Sequence, residues 1–303
     1  MTVDHSEETR EVYHKQHIRV VNDQKAMKRF INMFSTDYFG VKRDFFKGKK
    51  ILDAGCGDTA KLIIALYKMG ARDLNGLELG TDFIPIAQKS LEHHDVPLED
   101  VNFTSGNILE LPYPDNEFDF VSCHGVMIHL NTIDEVKKAF SELTRVTKNN
   151  GYLYTAFGSV GGLFEDAINP ALREYYRTNQ EFKKFIDEIS PKDFQDVFKI
   201  IKNSPNNALE EWFTNTLFQN FFDEDYCVMI QNIIQAPIRL KVNEDLIREL
   251  YEKNNFRDLT RLKRFVKREN IRKFFAPLHY ERDSRLSKLL YGGGNLEFLG
   301  RKA

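Results

Sequence analysis

Apolar positions change their spacing along the chain in an ordered way. Ile18, Val21, Met27, Phe30, Ile31 and Phe34 fall roughly on one helical face, and an aromatic cluster comes next at Tyr38, Phe39, Phe45 and Phe46. Lys49 to Asp53 then reads as a short buried strand that stops at the turn Ala54-Gly55-Cys56-Gly57-Asp58. Leu62, Ala65, Leu66 and Met69 return to helical spacing, and Gly70 suits the C-terminal cap of that helix. Asp73 to Leu79 predicts a second strand. Asp82 to His94 predicts a helix with Pro85 in its first turn. Val101 to Ser105 and Phe118 to Ser122 predict a third and a fourth strand. Thr132 with Glu135 has the capping-box pattern, and Val136, Phe140, Leu143 and Val146 lie on one face of the helix it opens. Gly151 to Phe157 is a fifth strand. This alternation predicts an α/β fold with a parallel sheet covered on both faces.

The rhythm breaks at Gly158-Ser159-Val160-Gly161-Gly162. From Leu163 to about Leu240 only helices are expected, punctuated by Pro170, Pro191, Pro205 and Pro237 and rich in aromatics, Trp212 among them. Glu244 to Lys253 then reads as a helix, and Phe256 to Arg264 and Asn295 to Gly300 as two further strands. The expected organisation is a helical arm over 1–45, a core over 46–158 and 243–303, and a helical insertion over 159–242.

Composition narrows the class. The 303 residues carry 43 Lys+Arg against 45 Asp+Glu, a net charge of −2. That excludes a strongly basic nucleic-acid coat and an acidic tail protein. Three cysteines, Cys56, Cys123 and Cys227, make no disulfide framework, so a cytoplasmic, reducing setting is expected. No apolar run approaches the ~18 residues of a membrane span. Met1 to Arg10 carries Asp4, Glu7 and Glu8 and no apolar core, unlike a secretory signal.

The turn Asp53-x-Gly55-x-Gly57, between a strand and a helix, has a physical logic. Glycines allow a tight turn and a close ligand approach, and the helix N-terminus offers free N–H groups. Glu78, ending the next strand, can accept two hydrogen bonds from a ribose diol. Ile51-Leu52-Asp53-Ala54-Gly55-Cys56-Gly57 resembles the first motif of class I S-adenosylmethionine-dependent methyltransferases, and Leu77-Glu78-Leu79 resembles their second. Gly106-Asn107-Ile108-Leu109-Glu110-Leu111-Pro112 through Asp119 is similar to the family's run from the adenine contact to the fourth strand. Cys123-His124-Gly125-Val126-Met127-Ile128-His129-Leu130 is similar to the family's segment just past that strand, and Asn243 to Arg257 resembles the last helix and its turn. The resemblance covers 49–158 well and 243–303 loosely.

The resemblance implies a Rossmann-like, doubly wound, mostly parallel seven-stranded sheet with S-adenosyl-L-methionine as cofactor. It places Asp53, Gly55, Cys56 and Gly57 beside the cofactor's amino-acid end and sulfonium, Glu78 at the ribose hydroxyls and Leu79 against the adenine. Asn107 stands at the adenine amino group where Asp is usual, Ile108 covers the adenine, and His124 lies near the methyl group. Two departures are visible. Thr59 replaces the third glycine of the first motif, which bears on close backbone approach, and is read as the N-cap of the next helix. Asn255 replaces the glycine before the sixth strand and tolerates a left-handed backbone.

The chemistry then needs an acceptor site. His129 is the candidate base, against a purely structural histidine. Tyr13 and His17, four apart, share a face of the arm and are candidates to close over the substrate. Cys123-His124 with His129 does not have standard zinc spacing, so no metal is expected. The basic run Arg257, Arg261, Lys263, Arg264, Lys267, Arg268, Arg272 and Lys273 reads first as solvated surface, then as a small-anion contact; the net charge argues against nucleic acid. The aromatic insertion is the expected roof over a small-molecule acceptor attacked through O or N, apolar or cationic by composition, or else a homodimer contact. An RNA or protein methyltransferase and a non-catalytic cofactor-binding scaffold are the alternatives.

Overall fold

The computed structural model describes residues 4–158, 161–203, 222–263, 270–271, 278 and 284–303. Seven strands form one sheet: β1 (Lys50–Ala54), β2 (Asp73–Glu78), β3 (Val101–Ser105), β4 (Phe118–His124), β5 (Thr147–Phe157), β6 (Phe256–Arg261) and β7 (Leu296–Lys302). Their order is β3-β2-β1-β4-β5-β7-β6. Strands β1 to β5 pair in parallel, while β7 runs antiparallel between β5 and β6. The expected mostly parallel, doubly wound sheet is therefore present.

Successive strand residues feed two cores, as the pleat requires. Ile51, Phe120, Tyr154 and Leu299 face one core. Leu52, Val121, Leu153 and Phe298 face the other. The first is covered by α1 (Ser6–Val21), α2 (Gln24–Met33), the single turn α3 (Thr36–Phe39), α4 (Lys61–Lys68) and α5 (Phe83–Glu92). The second is covered by α6 (Ile133–Val146). Burial on both faces explains why the strands read as continuous apolar runs rather than alternating ones.

Local signals hold where the backbone demanded them. Gly70, at φ 101°, ends α4 in a Schellman turn: its N–H donates to Tyr67 O at 2.9 Å and that of Ala71 to Leu66 O at 3.1 Å. Thr132 Oγ1 accepts the Glu135 N–H at 3.1 Å, but the Glu135 carboxylate returns to the N–H of Asn131, at 2.8 Å, rather than to that of Thr132. Asn255 sits at φ 60°, the left-handed position expected of it. Thr59 corrects the expectation: the N-cap of α4 is Ala60, at φ 47°, with no side-chain cap. Thr59 is instead buried, and its hydroxyl has no hydrogen-bond partner among the described residues. Strand β4 runs two residues past Ser122, taking Cys123 and His124 into the sheet.

After β5, a π-helical turn (Phe164–Ile168) leads into α7 (Asn169–Thr178), α8 (Gln180–Glu188), α9 (Pro191–Asn203) and α10 (Glu224–Ile234). Helix α11 (Glu244–Lys253) then returns to the second core, and α12 (Arg285–Tyr291) precedes β7. Pro205, Trp212, Phe213, Phe218 and Phe221 lie outside the described residues, as do Arg264, Lys267, Arg268, Arg272 and Lys273. The arm and the insertion meet: Gln16 Nε2 donates to Gln235 Oε1 at 2.9 Å, and Arg19 donates to Gln231 Oε1 at 2.6 Å and Ile189 O at 3.0 Å. No helix among the described residues is long and apolar enough to cross a membrane.

Candidate active site

The sheet order reverses between β1 and β4, and in open α/β sheets the crevice beyond such a switch point is where ligands bind. A cavity of about 500 Å³ lies there, and every residue singled out by sequence for cofactor, substrate or base lines it. At its floor, Asp53 ends β1. It is 2% exposed and accepts a hydrogen bond from Ser122 Oγ at 2.8 Å. Burial pushes its carboxyl up to about 7; the Ser122 bond opposes the shift and Glu78 adds to it.

The next turn is built on its glycines. Gly55 has φ 84°, and a Cβ there would stand 2.2 Å from Val126 Cγ2. Gly57 has φ 63°, and a Cβ there would stand 2.9 Å from His17 Cε1. The space a side chain would take is thus used by Val126 and by α1, which lies directly on the turn. Glu78 locks the turn from below: its two oxygens accept the Gly57 N–H at 2.9 Å and the Leu79 N–H at 2.8 Å. Each oxygen keeps one lone pair for a further donor, and burial raises this carboxyl's pKa. Cys56, beside it, is a buried thiol pushed well up by burial, a packing residue rather than a nucleophile.

The far end of the floor is formed by Leu79, Asn107 and Ile108. Asn107 is exposed, and its side-chain oxygen already accepts the Leu109 N–H at 2.9 Å, leaving one acceptor site. Ile108 is buried. His124, at the end of β4, is held by the Tyr154 hydroxyl, 2.9 Å from its Nδ1, and by the edges of Phe30 and Phe34. That hydroxyl lies 3.1 Å from Tyr38, which in turn donates to the buried Glu297.

Above the floor lies a second group. His129 Nδ1 donates to Ile238 O at 3.0 Å. A carbonyl only accepts, so Nδ1 carries the proton and Nε2 keeps its lone pair. Burial lowers the pKa of this ring to about 4, with Arg239 and Arg173 pushing the same way, so it stays neutral at physiological pH. The Tyr13 ring packs 4.7 Å from it, and burial raises that phenol to about 12. His17 is likewise held neutral, its pKa brought down to about 3 by burial, Lys61 and His14.

Further charged and polar residues line the cavity. Lys61, over the Phe30 ring at 4.8 Å, has its pKa lowered to about 8, by burial first and then by Arg29. His14 Nδ1 lies 2.6 Å from Asp58, and Arg10 pairs with Asp82. Asn232 and Arg239 are the contributions of the segment between α7 and α11 among the described residues. None of its described aromatics reaches the cavity. Phe164 stacks on Tyr291, Tyr175 packs on Phe182, and Phe194 stacks on Phe222. Proximity to the glycine turn could have flagged Lys61; nothing local could have flagged Arg239.

Three observations fit S-adenosylmethionine at the floor. The Glu78 oxygens each retain an acceptor site toward a diol, Asp53 is a buried carboxylate suited to a cation, and the Thr59 hydroxyl is buried without a partner among the described residues.

Comparison with known proteins agrees. Residues 52–155 match the profile of the family described as Methyltransf_11, methyltransferase domain. An uncharacterised protein of Methanocaldococcus jannaschii is 30% identical over 164 residues, 54% of this chain and 59% of its own length. An uncharacterised methyltransferase of Schizosaccharomyces pombe is 33% identical over 111 residues, 35% of this chain and 39% of its own length. The chain thus spans less than two thirds of these curated relatives. The solved structure of PKMT2 from Rickettsia typhi has the same fold, with a TM-score of 0.51 at 16% identity over 89% of this chain and 52% of its own. With the motifs in order on β1, β2 and β4 and the sheet in this topology, residues 52–155 are similar to the methyltransferase domain of that family, on a fold shared with solved methyltransferase structures.

Proposed function

We propose that this protein transfers a methyl group from S-adenosylmethionine to an oxygen or nitrogen of a small-molecule acceptor. The observation that carries the reading is that a single cavity joins the Asp53–Glu78 floor to His129 and Tyr13. When bound, S-adenosylmethionine supplies an electrophilic methyl carbon whose bond to sulfur breaks as the acceptor's lone pair forms the new one. Asp53 and Glu78 hold the cofactor's charged and diol ends, with Leu79, Asn107 and Ile108 at its base and His124 beside the reacting centre. His129 Nε2 takes the proton that the acceptor O–H or N–H gives up. Its bond to Ile238 fixes the ring in the tautomer this needs. Tyr13 and His17, on α1, cover the cavity and exclude water, which strengthens every polar contact inside it.

Incubation with methyl-labelled S-adenosylmethionine and a metabolite extract tests the reading. Label is expected in a small-molecule fraction, lost on Asp53→Ala or Glu78→Ala. Label in RNA or protein, or a cofactor affinity untouched by both substitutions, contradicts it.

A further inference from the structure

We infer that the acceptor carries an anionic group, a carboxylate or a phosphate, and that Arg239, supported by Arg173, is the site that receives it. The inference rests on the reading of the cavity as a methyl-transfer site and names the acceptor's chemical class.

Arg239 is placed by backbone geometry. Leu240 N–H donates to Ile128 O at 2.8 Å, and His129 Nδ1 donates to Ile238 O at 3.0 Å. These two bonds stitch 238–240 onto 128–129, and Arg239, between them, lines the cavity beside His129. Its guanidinium packs on Gly158 at the end of β5, where a Cβ would stand 2.5 Å from Arg239 Nη2.

The charge there does not balance. Arg239 and Arg173 share one carboxylate, Glu165, at 3.5 and 3.9 Å, distances at the loose end of ion pairing. Neither arginine meets it in the close, two-pronged geometry that satisfies a guanidinium. Both arginines are largely buried, with side chains 18% and 12% exposed. Arg173 Nη2 is buried with no hydrogen-bond partner among the described residues. The neighbouring acid Asp166 is taken by Lys241 at 2.9 Å, and Tyr13 and His129 are neutral. A buried excess positive charge with an unused donor is costly unless an anion completes it. The carboxylates Asp53, Glu78 and Asp58 line the same cavity, together with Arg10 and Lys61. The cavity thus offers Glu78 at the glycine turn, where the cofactor would lie, and Arg239 next to the Ile238 carbonyl that holds His129, where the acceptor would.

The test uses the full chain saturated with S-adenosylhomocysteine, its binding first measured by calorimetry. The arginine Nε–H resonances are followed by NMR during titration with acetate and, separately, with inorganic phosphate, with chloride at matched ionic strength as control. A saturable shift of the Arg239 signal is expected with acetate or phosphate and not with chloride. Saturation by acetate alone assigns a carboxylate, and by phosphate alone a phosphate ester. Arg239→Gln, which also identifies the signal, is expected to weaken the binding seen at the remaining arginine signals by about tenfold or more. Gly158→Ala, which keeps every charge but displaces the guanidinium, is expected to weaken it likewise. A shift that stays linear, that chloride reproduces, or that survives both substitutions overturns the inference while leaving the cofactor site standing. Failure to bind S-adenosylhomocysteine strikes the methyl-transfer reading instead.

Discussion

Asp53 combines deep burial with a neighbouring carboxylate, Glu78, and so holds a proton that an exposed aspartate would have lost. Its folded-state pKa, about 7, lies above the 3.8 of an unperturbed side chain. The stability it contributes is therefore fully present below the lower value and is lost as pH rises through the higher one. Asp53→Asn is expected to flatten that loss in thermal melts taken across this window. The same carboxylate is expected to give S-adenosylmethionine a larger gain in affinity than S-adenosylhomocysteine as pH rises through about 7, because only the former carries a sulfonium; equal gains would show that Asp53 does not face that charge. His129, with its pKa at about 4, is expected to leave the proposed methyl-transfer rate flat from about pH 6 to about pH 8 as far as its own titration is concerned. His129→Gln is expected to lower kcat by ~10²-fold or more with S-adenosylhomocysteine affinity unchanged. An unaltered kcat would make this a structural histidine. These residues were legible because each sits in a motif whose spacing tracks the strand ends. Their environments were not: the tautomer of His129 depends on Ile238, which the chain reaches only after the whole insertion.

At the scale of elements, the glycine turn and α1 form one unit. Gly55 needs both a positive φ and the absence of a side chain against Val126. Gly55→Ala is expected to cost at least about 1 kcal/mol of stability and to abolish cofactor binding, read by melting and calorimetry on the same sample. The arm is held over the cavity from the opposite side, by Arg19 on Gln231 and Gln16 on Gln235. Arg19→Ala is expected to weaken S-adenosylhomocysteine binding several-fold without loss of the β-sheet core, by loosening the helix that carries Tyr13 and His17; unchanged affinity would show that the arm closes without this tie. The helical stripe of the arm was plain from Ile18, Phe30 and Phe34, and the cap at Gly70 from its place after Met69. Thr59 misled because a threonine before a helix ordinarily caps it, whereas here the turn Gly57-to-Ala60 carries it inward and the helix starts one residue later.

At the scale of the molecule, the sheet topology was legible in the alternation of strands and helices, because each buried strand shows as an apolar run and each crossover as a helical stripe. The character of the cavity was not. The composition of the insertion pointed to an aromatic roof for an apolar or cationic acceptor. Among the described residues the insertion packs its aromatics on one another or on Tyr291 and offers Asn232 and Arg239 to the cavity. Composition reports how much aromatic surface a segment has, while only tertiary contacts decide which way it points. Methyl transfer depends first on the cofactor site. Titration calorimetry of the purified chain with S-adenosylmethionine and with S-adenosylhomocysteine, repeated on Glu78→Ala, tests that site most directly. One molecule of each is expected to bind per chain at low-micromolar affinity, with the binding lost in the variant; absence of binding by either ligand to the unaltered chain would contradict the assignment.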